Sequence, residues 1–350
     1  MRAFPSASRS PSPRFPQFAS VATLVTLGAL VMGCPPPPSG TVQTNAKPPA
    51  PPRPRLAVAS GAEGLSRITN DPIDEVSPVV SPDGNTLLLT AISYDASQNV
   101  SSQVLVGVNP SGASSRTFFT SSKYIARGAS WLPDGSGLAF VSNAMGAFHI
   151  VRTLSRTPNA AISIVVRADM APDADRAAVS PDGKQVAFEM GRGGVKYVGV
   201  SGIDGTNFTQ LAEGRGPSFS GDGRKIAFVR RVNDRDQIFT VNAQNGGDLT
   251  QVTNDEADNR APRWSANGRY LVFASNRGWQ RFQEFGASAQ ATWNIYAIRV
   301  DGTQLTQLTD GPSAQVQPFW SRDNFVYFAS NEAANYDIWR VKPIGDLSAP

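Results

Sequence analysis

From residue 78 onward the chain repeats one pattern: a turn of fixed composition, a two-residue gap and a run of three apolar residues. Pro78-Val79-Val80-Ser81-Pro82-Asp83-Gly84 precedes Leu87-Leu88-Leu89, and Trp131-Leu132-Pro133-Asp134-Gly135 precedes Leu138-Ala139-Phe140. Val179-Ser180-Pro181-Asp182-Gly183 precedes Val186-Ala187-Phe188, and Phe219-Ser220-Gly221-Asp222-Gly223 precedes Ile226-Ala227-Phe228. The fifth copy is Trp264-Ser265-Ala266-Asn267-Gly268 with Leu271-Val272-Phe273. The sixth, one residue shorter, is Trp320-Ser321-Arg322-Asp323-Asn324 with Val326-Tyr327-Phe328. Apolar runs this short, bounded by Asp-Gly or Asn-Gly, predict strands joined by tight hairpins in which the turn supplies positive φ.

Each copy continues with a polar residue before an apolar pair, which predicts a third strand: Gln103-Val104-Leu105, His149-Ile150-Val151, Lys196-Tyr197-Val198, Gln237-Ile238-Phe239, Asn294-Ile295-Tyr296 and Asp337-Ile338-Trp339. A second Gly-containing turn (Gly112, Gly205, Gly246, Gly302) leads to a fourth, such as Gln251-Val252-Thr253 or Gln307-Leu308-Thr309. The hairpin Asp or Asn positions fall 51, 48, 40, 45 and 56 residues apart, the size of a four-stranded propeller blade. The sixth copy ends after its third strand, and the missing strand stands ahead of the first copy as Arg67-Ile68-Thr69. An all-β, six-bladed β-propeller is therefore predicted, its ring closed by the N-terminal strand so that no sheet edge is left open.

With its Ser-Pro-Asp-Gly hairpins and terminal Leu-Thr or Val-Thr strands, the repeat resembles the propeller of the TolB family and the related repeats of prolyl oligopeptidase-type proteins. The resemblance covers about 280 residues in six in-register copies. It implies a role in the bacterial envelope, with a peptidoglycan-associated lipoprotein or a cell-wall component as partner. The fold by itself assigns no chemistry.

The N-terminus has another character. Residues 1–17 carry Arg2, Arg9 and Arg14 and no acid, and residues 18–33 are apolar or small. That is a secretory signal, too short for a confident membrane span. It ends Val31-Met32-Gly33-Cys34, which resembles a bacterial lipobox, so Cys34, the chain's one cysteine, is predicted to carry lipid. From Cys34 to Arg55 the chain holds nine prolines, no acid and no aromatic residue, a composition that favours an extended spacer of about 3.1 Å per residue. The expected organisation is a signal over 1–33, an acylated Cys34 and linker over 34–63, the propeller over 64–344 and a tail over 345–350. The expected location is a bacterial membrane, the outer membrane facing the periplasm, with the protein a monomer.

Charge sharpens this. The formal charge of +4 and pI near 9.3 suggest a nucleic-acid binder until the charges are placed. Six of the 32 basic residues lie in residues 1–56, which hold no acid, leaving 26 basic against 28 acidic residues beyond. No basic stripe with interleaved aromatics remains, and nucleic acid is not an expected partner.

One histidine excludes multi-histidine zinc sites, and no serine lies in a nucleophile-elbow motif. His149 fills a position held by Gln, Lys, Gln, Asn and Asp in the other copies and reads as structural, and Trp131, Trp264 and Trp320 read as packing. The chain is expected not to be an enzyme; the alternative is a propeller that binds or cleaves carbohydrate at its channel mouth. Candidate function concentrates in the loops expected around one mouth. Arg127, Asp175, Arg215 and Arg260 share one repeat position and are expected to ring the channel, either closing salt bridges between blades or binding a partner. Asp74, Glu75, Asp173 and Asp175 form a candidate site for a cation such as calcium. The long insertion Arg277 to Ala291, with Trp279, Arg281, Phe282 and Phe285, has the composition of an interface hot spot or of a small satellite core. The first copy's loop from Ala91 to Ser102, with Tyr94, is a weaker version.

Overall fold

The computed structural model describes residues 54–112 and 116–348; the signal, Cys34 and nearly all of the proline-rich linker lie outside the described residues. Six four-stranded antiparallel sheets follow one another along the chain. The inner strands of blades 1 to 6 are Asp74–Val80, Ala126–Trp131, Asp175–Val179, Arg215–Phe219, Asn259–Trp264 and Gln315–Trp320. In blades 1 to 5 the strands are laid down in sequence order from channel to rim. Blade 6 takes its outer strand from the other end of the chain: Ala62–Arg67 pairs antiparallel with Asn335–Pro343, with Ser66 opposite Arg340 and Arg67 opposite Trp339. Ahead of it, Ala57–Val58 pairs with Thr309–Asp310. No helix among the described residues is long and apolar enough to cross a membrane.

The repeated apolar triplet explains the core. Its third residue is Leu89, Phe140, Phe188, Phe228, Phe273 or Phe328, every one fully buried. The buried apolar residues divide into six clusters, each filled by two neighbouring blades, so the ring is held by its interblade seams. Two tryptophans also tie seams together through hydrogen bonds. Trp131 Nε1 donates to the Val79 carbonyl at 3.3 Å and Trp264 Nε1 to the Ser218 carbonyl at 3.0 Å, each on the preceding blade's inner strand.

The tight hairpins predicted from Asp-Gly are four-residue loops. Ser81 and Thr86 close the first loop (Ser81 N–H to Thr86 O, 2.8 Å), and only Gly84 has positive φ. Asp83 works through its carboxylate, accepting from Ser81 Oγ and the Asn85 amide, while Ser81 Oγ accepts from the Thr86 amide. Blades 3 and 4 repeat this with Ser180 and Asp182 and with Ser220 and Asp222. In blade 6 the left-handed position falls to Asn324. The terminal Thr also has a physical role. Thr120, Thr253, Thr309 and Thr69 each accept, at 2.8 to 2.9 Å, a third-strand amide (Leu105, Ile238, Ile295 and Ile338). A buried N–H left without such a partner costs about 1–3 kcal/mol, which accounts for the motif.

All six inner strands break register at the same point, where one residue adopts positive φ: Ser77, Gly128, Arg176, Gly216, Ala261 and Gln317. These bulges form a layer around the channel. Four of the six are not glycine, at a cost of roughly 1 kcal/mol each.

Candidate functional site

The loops entering each inner strand and those joining second to third strands share one face. Tyr94, ending the second strand of blade 1 (Leu87–Tyr94), donates to Asp74 Oδ2 at the start of that blade's inner strand at 2.7 Å. Arg277, following the second strand of blade 5 (Tyr270–Ser275), reaches Asp255 Oδ2 in the loop leading into that blade at 2.9 Å.

Arg127, Asp175, Arg215 and Arg260 each sit one residue before their strand's left-handed residue on this face. Arg127 Nε pairs with Asp175 Oδ1 at 3.1 Å across blades 2 and 3, and its guanidinium stacks on Phe148. Arg215 and Arg260 converge on Asp236, the second residue of the third strand of blade 4 (Arg235–Asn242), which is fully buried. Arg260 Nε lies 2.7 Å from Asp236 Oδ2 and stacks on Trp293, while Arg215 Nη2 makes a short ion pair with the same oxygen. Asp236 escapes sequence reasoning because it ends a charged run, residues 230–236, in which nothing distinguishes the buried acid from its solvated neighbours.

A second charged cluster spans blades 6 and 1. Glu75 and Asp337 are fully buried; Arg116 Nη2 lies 2.6 Å from Glu75 Oε1, and Arg67 Nη2 lies 2.7 Å from Asp337 Oδ2. Arg116 also pairs with Asp71. Glu75 Oε2 and Asp337 Oδ1 have no hydrogen-bond partner among the described residues. Burial outweighs the arginines, so both carboxyls are pushed above their ordinary values, Asp337 to about 6 from 3.8. Between those two values the folded chain binds more protons than the unfolded one. The stability contributed by protonated Asp337 is therefore fully present below about pH 4 and is lost as pH rises through about 6. Asp337→Asn is expected to remove this slope: relative to wild type, the variant gains about 2 kcal/mol between pH 4 and pH 7. Denaturant midpoints across that range check it, and parallel curves for the two proteins would refute it. The hairpin carboxylates Asp83, Asp182 and Asp222 are held below their ordinary values by Ser hydroxyls and titrate in both proteins alike.

Of the cation candidates, Asp74 accepts from Tyr94 and from the Tyr336 amide (2.8 Å), Glu75 pairs with Arg116 and Asp175 with Arg127, while Asp173 is exposed. Among the described residues no group of three or more His, Cys, Asp or Glu side chains is placed to hold a metal ion. His149 Nδ1 accepts the Ala168 amide at 2.9 Å.

The insertion of blade 5 folds as a 3₁₀ turn, Trp279–Phe285, between left-handed Gly278 and Gly286. Phe282 is its buried anchor, and Trp279 and Phe285 are half-buried. Arg281 stacks on Phe282 and pairs with Asp310 at 2.8 Å. Other apolar side chains of this face, on blades 1 to 3, are 36 to 54% exposed: Tyr94, Tyr124, Met145 and Met170. Apart from Tyr94, no repeat or motif marks them in the sequence.

The molecule so described is a six-bladed propeller with a charged, loop-rich face. No protein-family profile matches the chain. Two curated proteins match parts of it: the uncharacterised peptidase YuxL of Bacillus subtilis, 30% identical over 127 residues (35% of this chain, 18% of that protein), and the uncharacterised protein Atu1656 of Agrobacterium fabrum, 26% identical over 166 residues (45% and 52%). The chain thus spans about a fifth and about half of these relatives. Among solved structures, a TolB-type protein of Agrobacterium tumefaciens superposes with TM-score 0.59 at 19% identity, covering 83% of this chain and 99% of that one. TolB of Acinetobacter baumannii gives 0.55 at 14% (82% and 65%). A gluconolactonase of Xanthomonas campestris gives 0.60 at 13% (84% and 95%). At these identities the likeness is one of fold, and the fold is shared by proteins named as TolB and as a gluconolactonase.

Proposed function

We propose that this chain is an exported, lipid-anchored propeller that binds an envelope protein or cell-wall component through its loop face. The observation that carries the reading is the set of exposed Tyr94, Tyr124, Met145 and Met170 on loops of three consecutive blades, beside the Arg127–Asp175 pair. Tyrosine brings large contact area with a polar tip, and methionine adapts to irregular partner surfaces, so water-facing residues of these types in one sector suit a protein contact. The likeness to TolB supports the reading at the level of fold, and the signal ending in Cys34 supports export and acylation.

The test is capture of partners from envelope extract by the full chain and two variants. Tyr124→Ala with Met145→Ala and Met170→Ala is expected to lose a partner that Trp279→Ala with Arg281→Ala retains. Equal capture by all three would overturn the proposed surface. Growth with a fatty-acid analogue tests the anchor in the same cells: Cys34→Ala should lose the label, and retention would end the lipoprotein reading.

A further inference from the structure

The opposite, hairpin-side mouth opens into a cavity of about 610 Å3, bounded by the ends of all six inner strands. Two residues beyond each bulge, the side chains lining it are Val79, Ser130, Ala178, Ser218, Arg263 and Phe319. Five of the six are apolar or hydroxylic, so Arg263 is the one charge in that layer. The cavity closes at the bulge layer, where Arg176, Arg263, Ser77 and Gln317 surround a void of about 10 Å3, room for little more than a water. The carboxylates lining the cavity, Asp83 and Asp323, lie out at the hairpin rim. Each accepts from its own hairpin serine, and Asp83 also pairs with Arg156.

Arg263 and Arg176 are therefore two cations facing one narrow space, and neither has an acidic partner among the described residues. Arg263 Nη1 donates to the Pro262 carbonyl at 3.1 Å and, more weakly, to the Pro217 carbonyl at 3.5 Å; its remaining N–H groups have no acceptor among the described residues. Enclosure, together with Arg176 nearby, lowers the Arg263 guanidinium to about 9, the mark of a cation lacking its counter-charge. Arg176 adds a second sign. It stands in the left-handed backbone region, at φ 53°, where blades 2 and 4 use Gly128 and Gly216. The chain thus accepts backbone strain and charge repulsion together at one point in its channel.

We propose that the hairpin-side cavity is an anion site, in which Arg263 holds the phosphate or carboxylate of a small organic acid, with the charge of Arg176 across the bulge-layer void adding to the positive field, while Val79, Ala178 and Phe319 flank the acid's apolar body. Guanidinium forks match both oxyanions, and a volume of about 610 Å3 is that of a small-molecule pocket. The site lies on the face opposite the proposed partner surface and stands or falls separately from it.

Titration calorimetry of the full chain with phenyl phosphate, benzoate and inorganic phosphate tests this. Wild type is expected to bind at least one of them in the millimolar range or tighter, with tighter binding of phenyl phosphate than of inorganic phosphate showing that the apolar wall contributes. Arg263→Gln should weaken binding roughly tenfold or more, the loss expected for charge-assisted hydrogen bonds. Arg176→Gly should weaken it by a smaller factor, through the lost field alone, and yet raise the melting temperature of the unliganded protein, because glycine relieves both strain and repulsion; a merely structural arginine would lower it. No binding of any of the three by wild type overturns the site even if Arg263→Gln fails to fold, and undiminished binding by a folded Arg263→Gln overturns it too.

Discussion

Deletion of residues 62–69 is expected to abolish cooperative folding of the propeller. This segment supplies the outer strand of blade 6, and the Ile68 amide donates to Ile338 O at 2.7 Å while Thr69 Oγ1 accepts from the Ile338 amide at 2.9 Å. Ala62 and Leu65 pack into the seam between blades 5 and 6, and Ile68 into the seam between blades 6 and 1. Losing several backbone bonds at about 1 kcal/mol each and two large apolar side chains at about 1.5–3 kcal/mol each costs roughly 5–8 kcal/mol. That is most of the stability of an ordinary domain, and it leaves the Asn335–Pro343 strand as an open edge. A smaller lesion, Ile68→Pro, removes one N–H and should lower the melting temperature without destroying the fold. Calorimetry decides: a deletion variant that melts in one transition close to wild type would show that the ring does not depend on this closure.

The closure was legible because the repeat is: a sixth copy lacking its fourth strand and an unmatched Arg67-Ile68-Thr69 ahead of the first copy have one economical solution. The Thr of that segment is legible for the same reason, since four blades use its hydroxyl identically. What the pattern does not carry is the pairing of charges. Arg215 and Arg260 share a repeat position, yet the acid they meet comes from the third strand of blade 4 alone, and no periodicity points to Asp236. The bulge layer is similarly hidden. Ser77, Gly216, Ala261 and Gln317 precede a proline and Gly128 and Arg176 an alanine, but the left-handed residue itself varies from glycine to arginine, so its conformation cannot be read from its type. Phe282 shows the converse, a loop aromatic of interface type that is spent on anchoring its own turn.

Asp236→Ala is expected to destabilise the chain by about 3 kcal/mol, well beyond the loss from either arginine alone. The carboxylate is fully buried, with Arg260 Nε at 2.7 Å, Arg215 on the same oxygen and Arg231 Nη1 at 3.7 Å from the other. Its own amide donates to Asp258 Oδ1 at 2.9 Å, so the residue also ties the loop between blades 4 and 5 to the third strand of blade 4. Breaking a buried ion pair from one side costs about 3–5 kcal/mol because the partner charge is stranded. Here the arginine side chains are 38% and 46% exposed and regain some water, which sets the expectation at the lower end. Arg215→Gln or Arg260→Gln leaves the other guanidinium on Asp236 and should cost about 1 kcal/mol each. The triple variant should then cost less than the sum of its parts, since the arginines have nothing left to lose once the acid is gone. Urea midpoints for wild type and the four variants form the test. If Asp236→Ala falls within about 1 kcal/mol of wild type, the carboxylate is not the anchor of these loops, and the arginines of blades 4 and 5 stand at the channel mouth with their charge available to a partner.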